Sequence, residues 1–467
     1  MLSFISGNFQ IIHSGHHRLF KFARQFSDKL IVGVCSDTQN FDDKNSLDNN
    51  IKILKNNEYI DEVLIINNNL LKVLSQIKPN FIIKGYEHSN KKNIEDKYIS
   101  IKKNNCKLVF SSGINENLED NIITKFNTLI NHDRQFIDKN NVDKNKLNKI
   151  INNFQKLKVC VIGEIIEDVY EDFSVLGLSQ EDPTVVLSSI GSSSYVGGAG
   201  IVASHASSLG AKTSLISIYN KDDKSLIDTK LFDNNVETIL FNDETRKNIK
   251  KKRLRSAGKT LLRINEINSH FINKKIEKKI IDYFKSYSKN FDVLIFSDFN
   301  YGLLPKSLIS KLIKIANDNN IFISVDSQIS SQFGDITRYK DIDLLSLTEH
   351  EVRETINNNY DGLIEIMSKL QKKINTNYFN LKLGASGSII FDYIKRHSEN
   401  LNSLNKSPLD VSGAGDSMLV ATTLSLAAKS DPTNAAYLGA LSAALQVSKK
   451  GNVPIDIKSL RNAVNQI

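Results

Sequence analysis

Residues 410–417 read Asp410-Val411-Ser412-Gly413-Ala414-Gly415-Asp416-Ser417, and the apolar, alanine-rich run SMLVATTLSLAA fills 417–428. Consecutive small residues at a helix start let several backbone N–H groups converge on one anion. The helix dipole adds partial positive charge at the same point. A carboxylate at the end of that turn is held against the bound anion, where it can accept a proton from an attacking hydroxyl. Spacing alone also allows a glycine turn with an N-capping Asp. The surrounding sequence has to decide.

Upstream of the motif, short β-branched runs recur at 158–163 (KVCVIG), 213–219, 293–298, 321–326, 343–347 and 379–384, with helical stretches between them. The first ~130 residues carry the same rhythm, with runs at 29–36 (KLIVGVCS), 63–67, 81–85 and 107–111 and a helical pattern at 16–27. Strands alternating with helices predict the α/β class and parallel, doubly wound sheets. Residues 132–155 (HDRQFIDKNNVDKNKLNKIINNFQ) are polar and charged, and read as a linker ending in a helix. The expected organisation is a Rossmann-like α/β domain at 1–131, a linker at 132–155, and a second α/β domain with a small lid at 156–467.

A second phosphate cradle is predicted at the N-terminus. Phe4 to Leu19 (FISGNFQIIHSGHHRL) reads strand, glycine turn, helix. His13 and His16 are three residues apart and fall on one helix face. Gly15 lets a phosphate or a flat base approach the backbone. Two imidazoles at a helix start suit attack on the α-phosphate of a nucleoside triphosphate, where positioning and charge stabilisation supply the rate.

The 467 residues are 40% hydrophobic and 24% charged, enough apolar content for packed cores. No apolar run approaches the ~20 residues of a membrane span, and the N-terminus lacks the pattern of a signal peptide. A cytoplasmic protein is expected. Cys35, Cys106 and Cys160 are scattered, which argues against a disulfide scaffold or a structural zinc site. The net charge of +9 comes from lysines interleaved with Asn and Asp. It reads as composition, so neither a nucleic-acid nor a membrane partner is expected.

Residues 3–113 resemble the cytidylyltransferase-like nucleotidyltransferases. Gly7-Asn8-Phe9 before the HxGH motif, the LIVGV strand with Ser36-Asp37, Tyr59 to Val63, and Lys78 to Gly85 carry the resemblance in order. It implies that His13 and His16 are catalytic and that Gly7, Phe9, Gly15, Lys84 and Gly85 contact the nucleotide. Residues 157–455 resemble the ribokinase (PfkB) family. Gly163 to Asp168, Gly197-Gly198-Ala199-Gly200, Ser297-Asp298, Val325-Asp326, Leu381 to Gly387 and the 410–416 motif carry it. This implies Asp416 as catalytic base, Gly413, Ala414 and Gly415 as anion hole, and Glu351 as organiser of Mg2+ through water, with no direct metal ligand. Asp168, Gly197, Gly198 and Asp298 would meet the sugar. The implied cofactors are ATP, or another nucleoside triphosphate, and Mg2+.

Within these families the chain is most similar to the bifunctional heptose-phosphate kinase/adenylyltransferases. Gln180 to Pro183, Lys251-Lys252-Arg253 and Leu261-Leu262-Arg263 are the signs. Arg253 and Arg263 would suit a sugar that already carries a phosphate. The resemblance implies phosphorylation of heptose 7-phosphate at its anomeric hydroxyl, then nucleotidyl transfer to a sugar 1-phosphate. It also implies kinase before transferase, the reverse of the order here, and a homodimer paired through the lid. The departures are Gln10 for an Asp, Asn50 for an Arg, a shortened Ser111-Ser112-Gly113, Ile201 for an Asn, Thr348 for an Asn and Tyr301 for a Lys. They keep two other readings open: the same build acting on another sugar or polyol phosphate, with CTP as a candidate donor, or a binding or regulatory protein with one degenerate half.

Overall fold

The computed structural model describes residues 1–7, 9, 14–24, 26–35, 51–52, 54–55, 57, 59–66, 70–85, 106–111, 130–223, 231, 234–256, 259–268, 270–329 and 334–467. The chain divides into two compact units, Met1–Ile122 and Ile123–Ile467.

In the first unit, strands β1 (Leu2–Gly7), β2 (Lys29–Cys35), β3 (Glu62–Ile66), β4 (Phe81–Gly85) and β5 (Lys107–Ser111) form one sheet in the order β3-β2-β1-β4-β5. All its pairs are parallel. The strands are apolar because both faces are covered. Side chains alternate across the sheet: Ile5, Val32 and Ile83 enter the core shared with Phe20 of helix α1 (Ser14–Arg24), and Phe4, Ile31 and Ile82 enter the core shared with Leu74 of helix α2 (Leu70–Ile77). The strand order reverses between β1 and β4. In a doubly wound sheet the ligand crevice opens there, beyond the carboxyl ends of the two strands.

The second unit contains β6 (Lys158–Gly163), β7 (Ile165–Leu178), β8 (Val185–Gly198), β9 (Lys212–Tyr219), β10 (Glu237–Asn242), β11 (Ile249–Ser256), β12 (Lys259–Glu266), β13 (Val293–Asp298), β14 (Phe322–Ser327), β15 (Ile342–Thr348), β16 (Thr376–Lys382), β17 (Ser388–Asp392) and β18 (His397–Leu401). Nine of them make the main sheet, ordered β10-β9-β6-β13-β14-β15-β16-β17-β18. It is parallel up to β16, and its last two strands are antiparallel. The other four form the lid, β12-β11-β7-β8.

Helices cover both faces of the main sheet. Val159 and Val161 of β6 enter one core, Cys160 and Ile162 the other. The first core includes helices α3 (Arg134–Asn140), α4 (Lys144–Phe154), α5 (Ala199–Ser208), α10 (Ala414–Ala427), α11 (Pro432–Gln446) and α12 (Ile457–Val464). The second includes α6 (Lys274–Tyr287), α7 (Lys306–Asp318), α8 (Glu349–Ile356) and α9 (Leu363–Ile374). Among the described residues no helix is long and apolar enough to cross a membrane.

The stretch 132–155, expected to be a linker, is part of the second unit. Asp133 caps α3 by accepting from the Phe136 N–H at 3.1 Å, and Asp143 caps α4 by accepting from the Lys146 N–H. Phe136, Ile137, Leu147, Ile151 and Phe154 are buried in its core. His132 adds a 2.7 Å bond from Nδ1 to the Tyr437 hydroxyl. The many Asn and Lys residues around these apolar positions mask a stripe that the helical repeat brings together.

Candidate active sites

Helix α10 begins at Gly413, whose φ of +73° is left-handed. A Cβ there would lie 2.6 Å from Asn452 Oδ1, so both conformation and space require glycine. The Ala414 N–H bonds the Val411 carbonyl at 3.4 Å, and the N–H groups of Gly415 and Asp416 that follow have no carbonyl inside the helix to bond. Asp416 lies in this turn, half-buried. Burial pushes its carboxyl up to about 7, the Asp326 carboxylate pushes the same way, and Lys382 opposes both. Asp168 and Lys251 also act on it, the first raising and the second lowering.

Asp168 reaches the same site from β7. It is 5% exposed, and its Oδ2 accepts from Asn452 Nδ2 at 2.9 Å. A Cβ on Gly197 would fall 2.4 Å from that oxygen, and one on Gly198, whose φ is +62°, would strike the Glu164 carbonyl oxygen at 2.2 Å. The paired glycines therefore make room for Asp168 and for the turn that leaves β6. Arg253 of β11 lies 3.5 Å from Asp168 Oδ1 and donates to Ser412 Oγ at 2.7 Å. Its guanidinium lies over the Tyr170 ring, 5.2 Å from the centroid. The Tyr170 hydroxyl donates to Asp410 Oδ2 at 3.1 Å. The lid is thus tied to the anion-hole loop through Arg253 and Tyr170. Arg263 pairs opposite Arg253 on β12, is exposed, and reaches Asp168 only through its charge.

Two expected residues have different duties. Asp298, expected at the sugar, is 1% exposed. Its Oδ2 accepts from Arg338, the Tyr339 hydroxyl and Ser327 Oγ. A carboxylate enclosed by three donors inside the core positions the loop after β13 and does not face a ligand. Glu351 belongs to a capping box: the Thr348 hydroxyl accepts from its N–H, and its own Oε2 accepts from the Thr348 N–H at 2.7 Å. Thr-x-x-Glu is the sequence of such a box. Glu351 is also within the electrostatic reach of Lys382 and Asp326. Asn452 and Lys382 were not named as site residues, and Lys251 was named only as part of a basic run. Asn452 holds Asp168, Lys382 bonds Asp326 at 2.6 Å, and the Lys251 ammonium lies 5.3 Å from the Tyr301 ring centroid. Lys382 had a signal, as a lone cation at a strand end in Leu381-Lys382-Leu383-Gly384.

In the first unit, Gly7 closes β1 and Gly85 closes β4, beside Ser111 of β5. Phe9 follows with a φ of +46°, buried at 5% exposure. His16 lies in the first turns of α1, its ring centroid 5.1 Å from Phe9 and 6.3 Å from Phe20. Gly7 ends β1, Lys84 and Gly85 end β4, Gly15 and His16 lie in the first turn of α1, and Phe9 falls between β1 and α1. His13, Gln10, Ser36, Asp37, Asn50, Ser112 and Gly113 lie outside the described residues.

Residues 156–457 match the family model for pfkB family carbohydrate kinases. The chain belongs to the pfkB family. In this pfkB protein, residues 4–111 also match the model described as cytidylyltransferase-like. Among curated proteins it is similar to "Bifunctional protein HldE" of Pelobacter propionicus, 24% identical over 328 residues, 69% of this chain and 66% of that protein. The HldE of Aliarcobacter butzleri is 29% identical over 310 residues, 64% and 62% of the two chains. The match spans slightly less than two thirds of the length of these relatives. The transferase-like segment precedes the pfkB segment here, and the comparisons lend no support to the expectation that this order is a reversal.

Among solved structures, ribokinase of Arabidopsis thaliana, complexed with ribose and ATP, superposes with a TM-score of 0.53 at 16% identity, over 66% of this chain and 98% of that one. Phosphofructokinase-2 of Escherichia coli gives 0.54 at 14% identity, over the same shares. The pfkB half therefore has the ribokinase-like fold.

Proposed function

We propose that this chain is a bifunctional enzyme of activated-sugar synthesis, an ATP-dependent sugar kinase joined to a nucleotidyltransferase, with a heptose phosphate as kinase substrate. The observation that carries the kinase half is the Asp416 carboxylate in the first turn of α10, beside the glycine turn and within reach of the Asp168 charge. Asp168 orients the acceptor hydroxyl, Asp416 accepts its proton, and the α10 N–H groups stabilise the phosphoryl group. Arg253, held half-buried between lid and anion-hole loop, supports a substrate that already bears a phosphate, with Arg263 and Lys251 adding positive charge nearby.

The pfkB family uses Mg2+ with ATP. One oxygen of Asp326 is buried without a hydrogen-bond partner, and Glu351 shares its field, so the acidic residues fit a cation carried in by the triphosphate. Asp326 would face it and Glu351 would organise it through water, and when bound it would neutralise phosphate charge.

In the first unit His16 donates to the α-phosphate of a nucleoside triphosphate, with Gly7, Phe9, Gly15, Lys84 and Gly85 around the nucleotide; its position at the start of α1 after a glycine-ended strand supports this reading. A sugar 1-phosphate oxygen attacks and pyrophosphate leaves. The second reading, the same build acting on another sugar or polyol phosphate, with CTP a candidate donor, is favoured by Ile201, a fully buried aliphatic side chain next to the cleft of Tyr195, Asn234 and Asn452. An aliphatic side chain there cannot bond a hydroxyl.

The deciding experiment incubates the protein with each nucleoside triphosphate and a panel of sugar phosphates and follows ADP and pyrophosphate. Heptose 7-phosphate with ATP should yield ADP. Pyrophosphate should appear with a sugar 1-phosphate, and His16→Ala should abolish it alone. ADP release with a different sugar would favour the second reading, and neither product would leave only a binding role.

A further inference from the structure

We propose that Lys382 is the fixed cation of the kinase site, its ammonium holding the phosphoryl group in transit from nucleotide to sugar against the first turn of α10. The inference rests on the kinase reading of this half. Lys382 is the last residue of β16, beside Thr348 at the end of β15. Both strands end at the edge of the sheet where α10 begins. Its side chain is 11% exposed. A lysine is rarely buried so far unless its charge is paired or used.

Its Nζ lies 2.6 Å from Asp326 Oδ2, so part of the charge is paired. Two observations show that the pair is more than a clamp between strands. The other carboxylate oxygen of Asp326 is buried without a partner, whereas a closed structural pair would engage both. A Cβ on Gly415 would come 3.3 Å from the Lys382 ammonium, its nearest neighbour there. The cation therefore stands against the helix turn that Gly413, Ala414 and Gly415 form. The Asp326, Glu351 and Asp416 carboxyls are all within its electrostatic reach.

The reaction then balances as follows. The acceptor oxygen forms a bond to the γ-phosphorus as its proton passes to Asp416. The bond from that phosphorus to the β–γ bridging oxygen breaks, and ADP leaves with the electron pair. Lys382 takes no proton. It stabilises negative charge on the phosphoryl oxygens and the departing bridge, a task that grows towards the transition state.

The test compares wild type, Lys382→Met and Lys382→Arg in the full-length protein. Methionine keeps the aliphatic stem and removes the charge. It should lower kcat by about 10²–10³-fold, with the sugar KM changed by less than threefold, and arginine should recover part of the loss. Asp416 is faced by Asp326 on β14, Lys382 on β16, Asp168 on β7 and Lys251 on β11. Losing Lys382 should therefore move the acid limb of the kcat/KM profile to higher pH, a shift that damaged packing alone would not produce.

Calorimetry with ADP and with adenylyl imidodiphosphate gives a readout independent of turnover. Wild type should prefer the triphosphate analogue, and Lys382→Met should lose that preference. If wild type releases no ADP yet shows this loss on mutation, the kinase reading fails while the role of Lys382 in holding the terminal phosphate stands. If Lys382→Met keeps the preference, or keeps both kcat and the acid limb, the proposal is overturned.

Discussion

Two carboxyls of the pfkB half, Glu164 and Asp416, are both pushed up to about 7, and their surroundings separate their roles. Glu164 is 1% exposed and accepts from the N–H groups of Phe299, Tyr301 and Leu303. It holds the loop after β13. Asp416 stays partly accessible in the first turn of α10. As a general base it works only when ionised, so kinase kcat/KM should rise with pH through about 7, checked by a pH profile of ADP release. Asp416→Asn should cost about 10²–10⁴-fold in that activity and leave pyrophosphate release unchanged. The same shift predicts a stability effect. A carboxyl whose folded value lies above its ordinary 3.8 keeps a proton that the unfolded chain has released, so its contribution weakens as pH rises through that window. Denaturant midpoints should show Asp416→Asn more stable than wild type at pH 8, with the gap narrowing as pH falls below about 7 and closing only below 3.8.

Among the elements, α10 depends on one backbone conformation. Gly413→Ala forces an L side chain to a φ of +73° and against Asn452. Strain of about 1–3 kcal/mol is expected, and the displaced turn should lower kinase kcat by roughly 10²-fold while the transferase is spared. Helix α4 makes a different prediction. Leu147, Ile151 and Phe154 are fully buried, at the i, i+4, i+7 spacing of one helix face. Phe154→Ala in the full chain should destabilise the pfkB half by about 3–5 kcal/mol, read from thermal melts. A linker residue would show almost nothing. The stripe was present in the sequence, but its polar neighbours outweighed three apolar positions when only composition was weighed. Thr348-x-x-Glu351 shows the opposite ambiguity, since one sequence serves a capping box and a carboxylate beside the anion hole.

For the whole molecule, the lid leaves Leu176, Leu178 and Leu262 at 68%, 70% and 55% exposure. Large apolar side chains left exposed along one small sheet mark a surface that associates. We expect a dimer by sedimentation equilibrium, and Leu176→Glu with Leu262→Glu should shift it to monomer. Periodicity alone determined both α/β units, because strands buried on two faces must be apolar runs and the crossover helices must separate them. The sequence also named candidates for the two phosphate cradles, since a strand–glycine–helix turn is local chemistry. Only the tertiary structure turned Asp298 into the core, where Arg338 and Tyr339 arrive from forty residues on. It alone brought Lys382 and Asp326, 56 residues apart, to a 2.6 Å contact beside Gly415. Such partners are set by strand order, and strand order depends on long-range pairing that no local window contains.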